Sequence, residues 1–232
     1  MADFWTTVGS AEFARIVALS LGVSLSATGL AILLGLPLGA SLAVFRFPGR
    51  RLLIVVVNAL LGLPPVVVGL ALYLVLSRTG PLGELRLLFT PGAMVLAQAV
   101  LATPIVAALV HRTLADLWAD YGGALRIDGA TPLRSIPTLL AMGRKHMLTA
   151  ALAGFGRTIS EVGAILVVGG NIAGYTRTMT TAIALETSKG NLVLGLGLGF
   201  VLIGISMAVS ATAFTLRGRS HTACQRPYGP RR

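Results

Sequence analysis

Residues 111–146 read HRTLADLWADYGGALRIDGATPLRSIPTLLAMGRKH, a basic, amphipathic insert that stands between two strongly apolar stretches. The whole chain of 232 residues is 55% hydrophobic and only 12% charged, which is outside the range of soluble globular domains. We therefore interpret the chain as a membrane protein that holds one large polar insert on one side of the bilayer. Such an insert is a candidate surface for a partner.

Five stretches are long and apolar enough to cross a bilayer, which takes about 20 helical residues. They are residues 16–45, 52–77, 91–110, 147–170 and 192–216. The predicted fold class is therefore all-α, a polytopic membrane helix bundle with five transmembrane helices. Prolines at 37, 64, 65 and 104 fall inside these spans and favour kinks, because proline removes a backbone donor. In the tail 217–232, the Pro, Gly and Arg content favours disorder.

Positive charge is distributed unevenly over the connecting segments. Lysine and arginine are concentrated between spans one and two, in the insert 111–146, and after span five. These segments share one side if every span crosses, and the positive-inside rule makes that side cytoplasmic. Residues 1–15 then form an external segment, and the tail is cytoplasmic. The net charge of +11 is explained mainly by this topology, so we predict no nucleic-acid partner.

Helix signals divide the insert into two parts. Thr113 followed by Asp116 resembles a capping box, and a helical face then carries Leu114, Leu117, Trp118, Tyr121 and Leu125. This pattern predicts an amphipathic helix that extends span three beyond the membrane. Gly129 predicts a turn, and Thr131 with Pro132 predicts the start of a second, short helix. An insert that lies on lipid headgroups is the alternative to one that docks a partner.

Two charged residues fall inside span four. Arg157 and Glu161 are four residues apart, hence on one face of a continuous helix. Because each charge at the bilayer centre costs about 2.5–3.5 kcal/mol, they must either pair in the bundle or line water. In the second case Arg157, with the hydroxyls of Thr158 and Ser160, lines a path for an anion, and Glu161 weakens the binding enough for release. The sequence leaves both interpretations open.

Small and polar residues in the other spans have mainly structural interpretations. The glycines that predict close helix packing are Gly35 with Gly39 and Gly195 with Gly199. The amides that predict hydrogen bonds between helices are Asn58 and Gln98. Residues 178–189 predict a short external helix after span four.

The sequence contains no motif for catalysis. It has no phosphate-binding GxxxxGK[ST] motif, its three histidines are scattered, and Cys224 is its single cysteine. We therefore predict no catalytic residue, no metal site and no cofactor bound by this chain. Energy for any transport must come from a partner.

Two segments resemble a known family. Gly123-Ala124-Leu125, then Gly129 and Leu139, are similar to the loop of bacterial ABC importer permeases, whose pattern is Glu-Ala-Ala, three residues, Gly, nine residues and Ile. Gly123 replaces the Glu, and Leu125 replaces the second Ala. Residues 155–191, FGRTISEVGAILVVGGNIAGYTRTMTTAIALETSKGN, resemble more closely the permeases of tungstate importers, and less closely those of molybdate and sulfate importers. The resemblance extends over roughly residues 20–216.

This resemblance implies a type I transmembrane domain over residues 16–216 and a homodimer in the inner membrane that moves an oxyanion, tungstate, into the cytoplasm. The implied partners are two cytoplasmic ATPase subunits, which bind ATP and Mg²⁺, and one external oxyanion-binding protein. The residues that it assigns to ATPase docking are Ala124, Gly129, Ala130, Thr131, Pro132 and Leu133. A molybdate or sulfate permease is the alternative within the family. Outside it, the alternatives are a membrane scaffold and an ATPase-independent secondary transporter or channel, whose paired repeats and midplane carboxylates this sequence matches poorly.

Overall fold

A computed structural model describes residues 11–218, and all regular structure in this range is helical. The helices are α1 (Ala11–Val44), α2 (Arg50–Ala59), α3 (Pro65–Leu76), α4 (Pro91–Ile127), α5 (Pro132–Met142), α6 (Arg144–Ile159), α7 (Gly163–Gly169), α8 (Met179–Ser188) and α9 (Leu192–Gly218). Single 3-10 turns lie at Leu60–Gly62 and Gly83–Leu85. The all-α prediction is confirmed. The predictions made for residues 1–10 and 219–232, including Cys224, lie outside the described residues.

Three of the described helices are long and apolar enough to cross a membrane: α1, α4, and α9 over Leu192–Val209. Two further segments are bent pairs. The helical segment Arg50–Gly62 meets α3 at 103°, and α6 meets α7 at 59°. The described chain reaches five crossings if each bent pair counts as one span, so the count of five stays a prediction.

Prolines explain the first of these bends. Pro64 is extended, with φ −64° and ψ 120°, and Pro65 is the first residue of α3. Two successive residues without a backbone donor cannot continue a helix, so the interruption predicted here is confirmed. In contrast, α1 continues through Pro37 and α4 continues through Pro104. A single missing hydrogen bond in a long packed helix does not end it.

The contact between α1 and α4 depends on two glycines. A Cβ on Gly39 would lie 2.5 Å from the carbonyl oxygen of Ala107, and one on Gly35 would lie 2.9 Å from the Cβ of Val106. Only hydrogen fits at either position, which confirms the packing role predicted for this pair. Gly199 differs, because a Cβ there would meet no atom within 4 Å in the described chain.

The second halves of the two bent pairs pack against each other. A Cβ on Gly69 of α3 would lie 2.9 Å from the Cα of Ala164 in α7, and one on Gly163 would lie 2.7 Å from a methyl of Val66. The backbones of α3 and α7 therefore approach closely. This contact brings the two helix breaks to neighbouring positions in the bundle.

The 37 residues of α4 make a helix about 55 Å long, whereas the hydrocarbon core of a bilayer is about 30 Å thick. The predicted extension of span three beyond the membrane agrees with this length. The predicted capping box at Thr113 and Asp116 is wrong, because both residues lie inside α4. Backbone donors after Thr113 are already bonded to the preceding turn.

Candidate functional site: the docking turn and the break in span four

Residues 124–133, which we call the docking turn, join α4 to α5. The N–H of Ala130 donates to the carbonyl of Leu125 at 2.9 Å, and the N–H of Gly129 donates to that of Arg126 at 3.0 Å. These two bonds define a Schellman motif, and Gly129 supplies its left-handed residue with φ +78°. The predicted turn at Gly129 is confirmed.

Helix α5 begins at a capped end and is anchored along one face. Thr131 accepts the N–H of Arg134 at 3.4 Å, and Pro132 is the first helical residue, as predicted. Further along α5, Leu139 is fully buried in a core that includes Leu114 of α4. The docking turn is therefore held to the bundle at both ends.

Apolar side chains of the docking turn face outwards. Ile127 is 88% exposed and Leu133 is 66% exposed. Ala124 and Gly129 are also exposed, and Ala130 is half-buried. The sequence analysis missed Ile127, although an isolated β-branched residue between two charged ones was the feature that could have revealed it. The turn thus presents apolar groups on a backbone fixed by hydrogen bonds, which suits a protein-binding surface.

The break between α6 and α7 contains an ion pair. A guanidinium nitrogen of Arg157, Nη2, lies 3.1 Å from Oε2 of Glu161. The other carboxylate oxygen accepts the N–H groups of Val162 at 3.1 Å and Ala164 at 3.4 Å. The expectation of one continuous helix is wrong here, because Glu161 lies after the end of α6 and its carboxylate bonds to the start of α7. The Glu161 side chain is 4% exposed, whereas that of Arg157 is 34% exposed.

The two predicted hydroxyl groups have different surroundings. Ser160 is exposed at the break, beside Arg157 and Glu161 in the chain. Thr158 is buried, and its hydroxyl lies 3.1 Å from that of Thr28 in α1. The structure thus brings three of the four predicted pathway residues to the break and directs the fourth towards the α1 contact.

One of the two predicted interhelical amide contacts is present. Gln98 of α4 donates from Nε2 to the backbone carbonyl of Thr158 at 2.8 Å, which confirms a link between α4 and α6. Asn58 instead donates to Ile54 in its own helix at 2.7 Å and is exposed, so its predicted interhelical role is wrong within the described chain. The bend after α2 leaves this helix with few neighbours.

Threonines after α7 connect α8 to the break. The hydroxyl of Thr180 donates to the backbone carbonyl of Glu161 at 2.8 Å, and the N–H of Met179 donates to the hydroxyl of Ser20 in α1 at 2.7 Å. Thr178 is the N-cap of α8, in agreement with the helix predicted over 178–189. The sequence analysis missed this link, although the run TRTMTT at 176–181 marks it.

Glu186 closes the other end of α8. Its carboxylate accepts from Nζ of Lys189 at 3.0 Å and from Nδ2 of Asn191 at 3.1 Å. The hydrogen bond from Lys189 lowers the pKa of this carboxyl below its ordinary value of 4.5 and outweighs burial, which acts in the opposite direction. The charged form of Glu186 is therefore favoured by folding.

Curated relatives match most of the chain. A probable anion ABC transporter permease protein of Haloferax volcanii is 40% identical, over 88% of this chain and 90% of its own length. The tungstate uptake system permease protein of Peptoclostridium acidaminophilum is 37% identical, over 87% and 89%. A molybdenum permease of Escherichia coli is 32% identical over 69% and 75%, and a sulfate permease of Salmonella typhimurium is 26% identical over 94% and 81%. No protein-family model matches.

Among solved structures, a chain from inward-facing conformations of the MetNI methionine ABC transporter matches with a TM-score of 0.72 and 18% sequence identity, over 89% of this chain and 95% of that one. At this identity the match shows a shared fold. The fold and the relatives together define the class of protein, an ABC transporter permease. The chain belongs to the family of anion ABC importer permeases, of which the tungstate uptake permeases are members.

Proposed function

We propose that this chain is the membrane-spanning subunit of an ATP-driven importer that carries an oxyanion, tungstate, into the cytoplasm. Identity of 37% to a tungstate permease, against 32% and 26% to molybdenum and sulfate permeases, supports tungstate over these alternatives. Two copies of the chain enclose the path in the inner membrane, with the N-terminus outside and the C-terminus in the cytoplasm. Two ATPase subunits bind ATP and Mg²⁺, and an external protein delivers the anion.

Coupling to the ATPase rests on one observation, the exposed apolar side chains of Ile127 and Leu133 on a turn that is fixed at both ends. A cleft on the ATPase that buries such a side chain gains about 1.5–3 kcal/mol for each. A secondary transporter or channel has no use for this surface. Since the turn continues directly into α4, a movement of the ATPase displaces α4.

Displacement of α4 reaches the break in span four through Gln98. Its amide holds the carbonyl of Thr158, which is the residue next to Arg157. Arg157 is half-buried, so one side of its guanidinium remains open to an anion while the other side contacts Glu161. A pair of opposite charges attracts an oxyanion less strongly than a lone arginine, which favours release. We assign Thr158 to holding α6 against α1, and Ser160 to the lining of the path.

Transport by the reconstituted system tests this proposal. The permease is placed in vesicles with its ATPase and its external binding protein, and uptake and ATP hydrolysis are titrated with tungstate, molybdate and sulfate. Tungstate is expected to stimulate both at the lowest concentration. If another oxyanion stimulates both at a lower concentration, that oxyanion and not tungstate is the substrate. Uptake without the ATPase would refute an ATP-driven importer.

Variants of the docking turn test the coupling role. Ile127→Asp places a charge on the apolar tip and should reduce co-purification of the ATPase by about tenfold or more, the size expected for a central interface residue. Gly129→Asp strains the left-handed turn and should uncouple ATP hydrolysis from uptake while the protein remains in the membrane.

A matched control is Gly190→Asp. Gly190 has φ +79°, close to the +78° of Gly129, and a Cβ at either position meets no atom within 4 Å. The backbone strain is therefore equal, but Gly190 follows α8, away from the docking turn. The Gly190→Asp variant should retain the ATPase. Normal stimulated ATPase activity and normal co-purification in the Gly129→Asp and Ile127→Asp variants would exclude docking at this turn.

A further inference from the structure

A basic pocket of about 360 Å³ lies beside the docking turn, where the end of α1, the start of α2 and the last turns of α4 meet. Three arginines line it: Arg46, Arg50 and Arg126. Trp118 forms part of the wall, with the guanidinium of Arg126 5.0 Å from the centre of its ring. Among the described residues that line the pocket, none is acidic.

The three positive charges are not neutralised by the protein within residues 11–218. None of the three arginines has a carboxylate within ion-pair distance in this range. Arg50 donates from Nε to the carbonyl of Leu42 at 2.7 Å, which fixes the position of its guanidinium. Helix α2 also begins here, at Arg50, and its N-cap residue Gly49 provides no side-chain cap. The positive end of its dipole adds to the charge of the arginines.

Gly123 leaves part of the pocket open. The loop pattern that this chain resembles has Glu where this chain has Gly123, and Gly123 lines the pocket. A Cβ at Gly123 would meet no atom within 4 Å, so the space that a side chain would occupy is open. Three guanidinium groups and an open position at Gly123 thus surround a free volume.

We propose that this pocket binds a tetrahedral oxyanion, a phosphate group or its analogue, through Arg46, Arg50 and Arg126. Guanidinium groups match the geometry of phosphate oxygens, and three of them around one concave site favour a multiply charged anion over chloride. The bound group is either the headgroup of an acidic phospholipid or a free oxyanion from the adjoining solution. The site is formed by this chain alone, so the proposal does not depend on which substrate is transported.

Fluorescence of Trp118 reports binding directly. The chain has two tryptophans, so Trp5→Phe leaves Trp118 as the single tryptophan. The purified full chain is placed in phosphatidylcholine nanodiscs at low ionic strength and titrated with inorganic phosphate and with tungstate. A second preparation contains phosphatidylglycerol in place of part of the phosphatidylcholine. A saturable response to the free anions identifies a free oxyanion, and a response confined to phosphatidylglycerol identifies a lipid headgroup.

The decisive pair of variants is Gly123→Glu and Gly123→Gln. Both side chains have the same size, a Cβ at this position meets no atom within 4 Å, and both residues favour helix more than glycine does. Only glutamate places a carboxylate among the arginines, so Gly123→Glu should weaken anion binding at least about tenfold relative to Gly123→Gln. Arg126→Gln should weaken binding about as strongly. Arg51→Gln, next to the pocket on α2 but outside its lining, should leave binding unchanged.

Three results would overturn the proposal. One is equal binding by the Gly123→Glu and Gly123→Gln variants. Another is a loss in Arg51→Gln as large as that in Arg126→Gln, which would indicate general charge attraction. The third is the absence of a saturable Trp118 response to phosphate, to tungstate and to phosphatidylglycerol.

Discussion

Arg157→Gln should destabilise the chain more than Glu161→Gln, although both changes break the same ion pair. Glu161 is 4% exposed, so loss of Arg157 leaves a carboxylate buried without its cation. Removal of one partner of a buried pair costs about 3–5 kcal/mol. Two N–H groups still bond the carboxylate, and Arg157 is already partly solvated, so we expect a cost at or below the bottom of that range, about 2–3 kcal/mol.

Glu161→Gln leaves a different residue unpaired. The amide oxygen of glutamine can still accept the N–H groups of Val162 and Ala164, and the guanidinium of Arg157 has access to water. The expected cost is about 1 kcal/mol, typical of one lost hydrogen bond. The difference between the two variants, about 1–2 kcal/mol, is therefore a measure of how fully the carboxylate depends on its arginine.

Unfolding of the purified variants in one detergent measures these costs, and the double variant Arg157→Gln, Glu161→Gln completes a double-mutant cycle. Oxyanion uptake is measured with the same proteins in vesicles, where Arg157→Gln should abolish or strongly reduce it. Equal destabilisation by the two single variants would refute the claim that the buried carboxylate of Glu161 depends on Arg157 more than the partly exposed Arg157 depends on Glu161. A stable Arg157→Gln variant with undiminished uptake would refute the pathway role of Arg157.

Two further predictions concern packing and pH. Gly39→Ala should lower the free energy of unfolding by about 1–3 kcal/mol, because its Cβ would lie 2.5 Å from a backbone oxygen of α4. The control Gly29→Ala, whose Cβ would meet no atom within 4 Å, should be neutral or stabilising. Thermal unfolding in detergent compares the two variants, and equal effects would contradict the close contact. Glu186→Gln should destabilise the chain by a constant amount above about pH 5. Folding lowers the pKa of Glu186, so the stabilisation by its charged form is present above pH 4.5 and is lost as the pH falls below that value. The difference in unfolding free energy between wild type and variant should therefore shrink at low pH. A difference that grows on acidification would contradict this sign.

Local sequence rules predicted those features that depend on a few neighbouring residues. Pro64 with Pro65 breaks a helix in any context, and Gly129 followed by Thr131 and Pro132 specifies a turn and a new helix start. Both the first bend and the docking turn were therefore predictable. The position of Ile127 between two charged residues marked it as a candidate, but its high exposure was not predictable, because exposure depends on how α4 and α5 pack against the bundle.

The break in span four follows from distant contacts and carries no local signal of comparable strength. No proline lies between Ile159 and Gly163, and Arg157 and Glu161 have the spacing of one face of a continuous helix. In the structure, the Glu161 carboxylate bonds to the first N–H groups of α7, and the Glu161 carbonyl accepts the hydroxyl of Thr180 from α8. The hydroxyl of Thr180 and the carbonyl of Glu161 are 19 residues apart, so the short windows from which turns and helix ends are predicted do not contain both.

Gln98 links the helix that carries the docking turn, α4, to the break between α6 and α7. Gln98 and Gly129 lie at opposite ends of α4 and are about 45 Å apart along its axis. Between them α4 is held against α1 by the contacts of Gly35 and Gly39, which leave no room for α4 to bend towards α1. If the docking turn binds the ATPase as proposed, a force applied there is expected to move α4 along α1 or to tilt it as a unit, and the hydrogen bond from Gln98 would carry that motion to Thr158. The adjacent ion pair lies at a break rather than within a continuous helix, so α6 can move relative to α7 without loss of helical hydrogen bonds. Under the proposed coupling, we therefore expect the environment of Arg157 to change with the position of the ATPase.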